Sequence, residues 1–131
     1  MATLKSLTPV IIVDDIEPCA EFWITRVGFE QTNQVPGDDG HLVFAILQKD
    51  GIELMYQTKA SVAADSPDQK GELTGHSTAL FFTVASMSDL DALESALQGA
   101  PIVKPRHRTF YGSTEFYVRE PGGNVVGFAA F

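Results

Sequence analysis

The sequence predicts an α+β fold built from two tandem β-α-β-β-β modules whose strands form a cupped mixed sheet. Two observations lead to this prediction. An apolar, β-branched segment followed by an amphipathic one occurs near the start of the chain and again after its midpoint. Each pair is followed by three short runs separated by turn residues, a pattern typical of strands. Because 131 residues suit about one domain, we expect a single domain over residues 1–131.

The first module is predicted over about residues 6–57. Residues 9–13 read as a strand, and Asp14 or Asp15 offers a capping carboxylate to the helix that follows. Apolar side chains then recur at helical spacing until Gly28 ends the helix. Three further strands are predicted at residues 29–35, 41–48 and 52–57, the last two joined by a tight turn.

The second module is predicted over about residues 76–131. Residues 58–75 are small, polar and turn-rich, so we expect a connecting linker there, which can include a short helical turn. Ser86 or Ser88 caps the second helix. The predicted strands of this module are residues 78–84, 102–108, 113–119 and 125–131.

Equivalent positions of the two modules lie at a nearly constant separation, which supports a duplication. The pairs are Val13 and Val84 at 71 residues, Gly28 and Gly99 at 71, Phe44 and Phe116 at 72, and Ile52 and Val126 at 74. Two such modules can enclose a shared concave space, where we expect a small-molecule site.

The net charge of the chain limits the classes of partner that it can bind. A net charge of −8 repels nucleic acid and anionic membrane surfaces and favours a cationic ligand. No apolar run approaches the roughly 20 residues that span a bilayer, and the first eight residues lack the features of a secretory signal. We therefore expect a cytoplasmic protein with no membrane partner. Cys19, the single cysteine, is expected to be a small buried side chain.

Strand alternation predicts which side chains face the concave space. Placing Glu53 in the core would leave it unpaired, at a cost of several kcal/mol. The opposite parity puts Ile52, Leu54, Tyr56, Val126, Phe128 and Ala130 under the helices. It leaves Glu53, Met55, Gln57, Gly127, Ala129 and Phe131 on the concave side.

Three segments carry a resemblance to a known family: PVIIVDDIEPCAEFWITRVGFE, the hairpin DGIELMYQ and the closing run YGSTEFYVREPGGNVVGF. Together they resemble the vicinal oxygen chelate superfamily of glyoxalase, extradiol dioxygenases, fosfomycin-resistance enzymes and bleomycin-resistance proteins. The resemblance covers nearly the whole chain. It implies the glyoxalase/bleomycin-resistance fold and a homodimer, in which modules meet either within or between chains.

The resemblance also implies where a metal ion would bind. Metal-dependent members place one ligand on the first and one on the last strand of each module, which here are Thr8, Glu53, Ala79 and Gly127. Only Glu53 is a strong ligand, because the other three offer a hydroxyl, a methyl group and a hydrogen. We therefore expect no metal ion and no other cofactor. The three histidines, His41, His76 and His107, have no partner at ligand spacing.

These residues favour a non-catalytic binding protein of the bleomycin-resistance type, which holds an aromatic and cationic ligand between the modules. The expected ligand-binding residues are Glu53, Met55, Gln57, Phe81, Phe110, Tyr111 and Phe131. The alternatives are a metal-dependent lyase, isomerase or dioxygenase with ligands at other positions, and an interaction module without a ligand. The basic residues 106–108 are expected to be a solvated strand end rather than a rim for an anionic group.

Overall fold

The structure, a computed structural model, describes residues 1–65 and 78–131 and has the α+β fold of two β-α-β-β-β modules that the sequence predicts. The first module contains strand β1 (Val10–Val13), helix α1 (Glu17–Phe22), a π-helical segment (Trp23–Val27), and strands β2 (Glu30–Pro36), β3 (Leu42–Lys49) and β4 (Ile52–Thr58). Helix α2 (Lys59–Asp65) follows. The second module contains β5 (Ala79–Thr83), α3 (Met87–Ala96), β6 (Ile102–Arg108), β7 (Thr114–Arg119) and β8 (Val125–Ala130). No helix in the described part of the chain is long and apolar enough to span a membrane.

Each module forms a four-stranded mixed sheet with the same topology. The strand orders are β1-β4-β3-β2 and β5-β8-β7-β6. The first strand of each module pairs in parallel with the last, and the other pairs are antiparallel. Because the first and last strands are parallel, the chain must cross over between them, and the helix in this connection covers one face of the sheet.

Two local predictions need correction. The first helix does not use Asp14 or Asp15 as a side-chain cap, since its N-cap is Ile16 in helical conformation. Residues 59–65 of the predicted linker form helix α2, because Ala60, Ala63 and Ala64 are good helix formers despite the weak apolar period. The rest of that linker and His76 lie outside the described residues. Ser86 does cap α3, where its hydroxyl accepts a hydrogen bond from the Asp89 N–H.

The two modules share one hydrophobic core. The rings of Trp23 and Phe29 from the first module pack against Phe82 of the second, with Trp23 and Phe82 centroids 5.6 Å apart. Phe82 in turn stacks on Phe128 at 5.4 Å. Buried side chains of β1, β3, β4, β7 and β8 belong to the same cluster. The packing of Trp23 and Phe29 on Phe82 fixes the position of one module relative to the other. It therefore also fixes the size of the space between them.

A buried chain of hydrogen bonds also crosses between the modules. The indole N–H of Trp23 donates to the Tyr56 hydroxyl at 2.8 Å, and that hydroxyl donates to Glu120 Oε2 at 2.7 Å. Glu120 Oε1 accepts from the backbone and side-chain N–H groups of Asn124. Burial, followed by the negative charge of Glu120, raises the pKa of Tyr56, so its hydroxyl keeps its proton.

The side chains predicted to lie under the helices on β4 and β8 are buried, with one exception, but burial does not distinguish the two faces of β8, where Gly127 and Ala129 are buried as well. Leu54, Tyr56, Val126, Phe128 and Ala130 are buried core residues. The exception is Ile52, which is 42% exposed and begins β4 directly after the hairpin turn, where it pairs with Lys49.

We expect Tyr56→Phe to lower the free energy of unfolding by about 1–3 kcal/mol, because it leaves the buried Trp23 N–H and one Glu120 oxygen without a partner. Urea unfolding followed by Trp23 fluorescence measures the change. Thr25→Val is the matched control, since it removes one hydroxyl whose hydrogen bond to the Glu21 carbonyl oxygen is exposed. A loss for Tyr56→Phe no larger than that of the control would contradict this role.

Candidate functional site

A cavity of about 770 Å³ lies between the two modules. It brings Glu53 of β4 and Phe81 of β5 together, two of the residues that the sequence predicts for the ligand site. The N-terminal residues Ser6–Pro9 and the hairpin between β3 and β4 form its other walls. Phe81 is 51% exposed, which leaves much of its ring open to this space.

Glu53 is held in place from two sides. The Thr8 hydroxyl donates to Glu53 Oε1 at 3.2 Å, and the Gln48 side-chain amide donates to Oε2. Both partners lie on neighbouring strands or their extensions, so the carboxylate is fixed by the sheet rather than by a flexible loop. Glu53 is only partly buried and keeps further acceptor capacity for a ligand in the cavity.

A second cavity, of about 520 Å³, lies on the outer face of the second sheet. Two other predicted residues, Phe110 and Tyr111, line it. The Phe110 ring is fully exposed and contacts Tyr111 edge to face at 5.1 Å. The remaining lining residues are Val103, Lys104, His107, Arg108, Thr109, Glu115 and Tyr117.

Glu115 is the functional candidate that sequence reasoning missed. It lies on the outer face of β7 yet is only 1% exposed. Its carboxylate accepts hydrogen bonds from Tyr111 and Ser113 at Oε2 and from Tyr117 at Oε1, over 2.7–2.9 Å. Its position between Ser113 and Tyr117 on one strand face was the available sequence signal.

The hydroxyl groups determine the charge state of this cluster. Burial would raise the pKa of Glu115, but the hydrogen bonds from Ser113, Tyr111 and Tyr117 outweigh it and lower the pKa. Burial, together with the hydrogen bond to Glu115, raises the pKa of Tyr117 to about 12. Its hydrogen bond to Glu115 raises the pKa of Tyr111. The carboxylate is therefore ionised near neutral pH, and both phenols remain protonated.

The two cavities meet at a pair of aromatic rings. Phe81 lines the first cavity and Tyr117 the second, and their centroids are 6.4 Å apart. Gly127 lies between them in the sheet, paired with Phe81 on one side and Tyr117 on the other. A Cβ atom at Gly127 would be 2.2 Å from Tyr117 Cε2, so the glycine is what allows the ring to cover the strand.

Three predicted site residues line neither cavity. Met55 and Gln57 face outwards further along β4, and the Gln57 amide donates to Ser61 of α2 at 3.1 Å. Phe131 is 71% exposed, with its ring 6.3 Å from Tyr111. The structure therefore divides the seven predicted residues among the first cavity, the second cavity and the adjoining surface.

The four positions inferred for a metal ion do not form a matching set of donors. Thr8 and Glu53 lie together as expected. The two positions of the second module are not paired with each other, because Ala79 pairs with Val125 and Gly127 with Phe81. Neither alternative partner adds a donor atom, and the Tyr117 ring fills the space at Gly127. Within residues 1–65 and 78–131, no three His, Cys, Asp or Glu side chains are grouped to hold an ion. These residues do not fit a metal site.

Cys19 and the two histidines that the structure describes, His41 and His107, each lie in a different environment. Cys19 is buried in the core, and burial raises the pKa of its thiol, which keeps it in the unreactive form. His41 lies 3.4 Å from Glu17 on the exposed surface. The Nδ1 atom of His107 is 2.8 Å from the Pro105 carbonyl oxygen.

Comparison with known proteins identifies the family. The family model of the glyoxalase/bleomycin resistance protein/dioxygenase superfamily matches residues 5–128. A lactoylglutathione lyase from Agrobacterium tumefaciens has a TM-score of 0.75 at 16% identity, over 98% of this chain and 95% of that chain. A glyoxalase/bleomycin resistance protein/dioxygenase family enzyme from Burkholderia phytofirmans PsJN has a TM-score of 0.76 at 19% identity, over 94% and 95%. TioX from Micromonospora sp. ML1 has a TM-score of 0.73 at 19% identity, over 96% and 98%. No curated protein gives a significant match.

We expect Glu115 to make stability dependent on acid pH. Because its folded pKa is lowered, its stabilisation is present above the unfolded value of about 4.3 and is lost as the pH falls through the folded pKa. The difference in free energy of unfolding between wild type and Glu115→Gln should therefore be constant from pH 7 to about pH 5 and shrink towards pH 3. Urea unfolding at each pH measures it. A difference that does not change with pH would contradict an ionised Glu115.

Proposed function

The chain belongs to the glyoxalase/bleomycin resistance protein/dioxygenase superfamily, and within it we propose that this protein binds an aromatic, cationic small molecule without transforming it. One observation carries the proposal. A carboxylate from the first module, Glu53, and a half-exposed ring from the second, Phe81, line the same cavity. A ligand with a flat cationic ring system would contact both groups at once.

The charged residues that line the first cavity favour the binding of a cationic ligand. Three carboxylates line it, Glu30, Asp50 and Glu53, against one ammonium group, Lys49. Lys49 is itself 3.4 Å from Asp50, so its charge is largely balanced locally. The net charge of −8 adds a long-range attraction that salt should weaken.

The size and aromatic content of the cavity suit a drug-sized compound. Its 770 Å³ falls within the usual range for small-molecule pockets. Phe81 and Phe82 both contribute to the lining, but only Phe81 presents an open ring, because Phe82 packs against Trp23 and Phe128 in the core. Stacking on Phe81 would therefore supply the main apolar contact, and Glu53 the charged one.

A metal-dependent lyase, isomerase or dioxygenase is the alternative from the same superfamily. It requires several strong donors around one ion, and Glu53 is the only carboxylate among the four inferred positions. The likeness to lactoylglutathione lyase, at 16% identity, supports the fold and not the reaction. The donor set therefore favours binding over metal-assisted chemistry.

We also propose that the protein is a homodimer. Exposed apolar side chains lie on the outer faces of both sheets and at their edges, including Val10, Ile102, Phe110 and Phe131. A second copy could cover such residues and remove them from water. We expect light scattering after size-exclusion chromatography to give a mass near twice 14.2 kDa. A mass of one chain at micromolar concentration would contradict the dimer.

We expect Glu53→Gln to weaken the binding of a planar cationic dye, such as an acridinium, by about five- to tenfold, because the dye loses its charged partner. Phe81→Ala should weaken it by a similar factor through lost stacking. Isothermal titration calorimetry at low salt measures both affinities. Glu21→Gln is the matched control, since it removes one carboxylate from the exposed face of α1, away from the cavity.

Two results would overturn the proposed function. One is equal affinity of wild type, Glu53→Gln and Phe81→Ala for the dye, or no binding to the wild type. The other is the uptake of one tightly held ion per chain when nickel, zinc, manganese and iron(II) are added and excess metal is removed. Metal analysis of the dialysed protein would then favour the metal-dependent alternative.

A further inference from the structure

The second cavity has a feature that the proposed cation-binding site at Glu53 and Phe81 does not explain. Strand β6 has two register irregularities against β7, one between Ile102 and Lys104 and one between Lys104 and His107. In a regular strand Lys104 and His107 would face opposite sides of the sheet, because they are three residues apart. The irregularities instead pair Lys104 with Tyr117 and His107 with Glu115, so both line the outer cavity.

The basic residues of β6 differ in whether they form ion pairs. Arg106 is bound on the helix side, where its guanidinium donates to Asp91 at 2.7 Å and to Glu94 at 3.0 Å. Lys104 borders both the outer cavity and a groove on the helix side, and Arg108, which pairs with Thr114 as the last residue of β6, also lines the outer cavity. Neither forms an ion pair with any residue that the structure describes. Two uncompensated cations in a chain of net charge −8 are therefore placed beside an aromatic wall.

Glu115 forms no ion pair with Lys104 or Arg108. It takes its hydrogen bonds from Ser113, Tyr111 and Tyr117, and it lies beneath them with 1% exposure. Both phenol protons point to Glu115, so an anion in this cavity would take its hydrogen bonds from the side chains of β6. The donors of Lys104 and Arg108 remain available for that purpose.

One row of paired residues leads from Lys104 to Phe81, which lines the first cavity. Phe81, Gly127, Tyr117 and Lys104 occupy one row across the sheet, each paired with the next. Three strand spacings of about 4.8 Å separate β5 from β6, which gives about 14 Å between the Phe81 and Lys104 positions. The surface along this row consists of the two rings, because Gly127 has no side chain.

We propose that Lys104 and Arg108 form an anion-binding subsite, and that the ligand is an elongated aromatic compound with a carboxylate, sulfonate or phosphate group at this end. This inference deepens the proposed function and rests on its binding surface, with Glu53 holding the cationic end of the same ligand. It also replaces the expectation that residues 106–108 are only a solvated strand end, since Arg106 is bound to α3 and Arg108 lines the cavity.

The test compares three probes on the full chain at low salt by isothermal titration calorimetry: naphthalene-2-sulfonate, 2-naphthylmethylammonium and inorganic phosphate. We expect the sulfonate to bind the wild type at least tenfold more tightly than phosphate, because only the sulfonate carries rings for Tyr117. The Lys104→Gln/Arg108→Gln double variant should bind the sulfonate about tenfold more weakly and the ammonium probe within twofold of the wild type.

Arg119→Gln is the matched control, because Arg119 is exposed at the far end of β7 and lines neither of the two cavities. It should leave all three affinities within twofold. Equal melting temperatures of the variants establish that each is folded. Absence of sulfonate binding to the wild type, unchanged sulfonate affinity in the double variant, or phosphate binding as tight as the sulfonate would overturn the proposed subsite.

The two proposals fail separately. If Glu53→Gln leaves the ammonium affinity unchanged while the double variant loses the sulfonate, the cation site is wrong and the anion subsite stands. If the double variant retains the sulfonate while Glu53→Gln loses the ammonium probe, the anion subsite is wrong and the cation site stands.

Discussion

The geometry of the candidate site depends on the buried hydrogen bonds that join Trp23, Tyr56 and Glu120 across the module boundary. Apolar contacts alone would tolerate several ways of packing the two sheets together, whereas a chain of buried polar groups is satisfied in one arrangement. Tyr56 is three residues from Glu53 on the same strand, on the opposite face. The contact that fixes the modules in the core therefore also fixes the carboxylate in the cavity relative to Phe81.

Period-two alternation made the division between core and ligand face predictable. It assigned Leu54 and Tyr56 to the core and Glu53 to the cavity, because an unpaired buried carboxylate is costly. It failed for Ile52, which begins β4 directly after the hairpin turn and is 42% exposed. Helix α2 was missed for a different reason: its alanines favour a helix by propensity but produce no apolar stripe from which to recognise it.

The candidate site was less predictable than the fold because its polar contacts depend on which strands are neighbours. Glu115 reads as a solvated strand residue until Tyr111 and Ser113 are known to reach the same carboxylate. The faces of Lys104 and His107 could not be assigned by counting, since the irregularities of β6 depend on its pairing with β7. The neighbour of Gly127 on β5 likewise depends on the sheet register, which places Phe81 there.

The close approach of Tyr117 to Gly127 constrains how this chain can evolve. A donor side chain at residue 127 would collide with a ring that Glu115 holds in place, and a smaller residue at 117 would expose a bare glycine backbone. Either substitution alone is unfavourable, so the two positions are epistatic. Introducing an ion ligand on β8 would require both changes together, so a metal site at residue 127 and the present aromatic surface exclude each other.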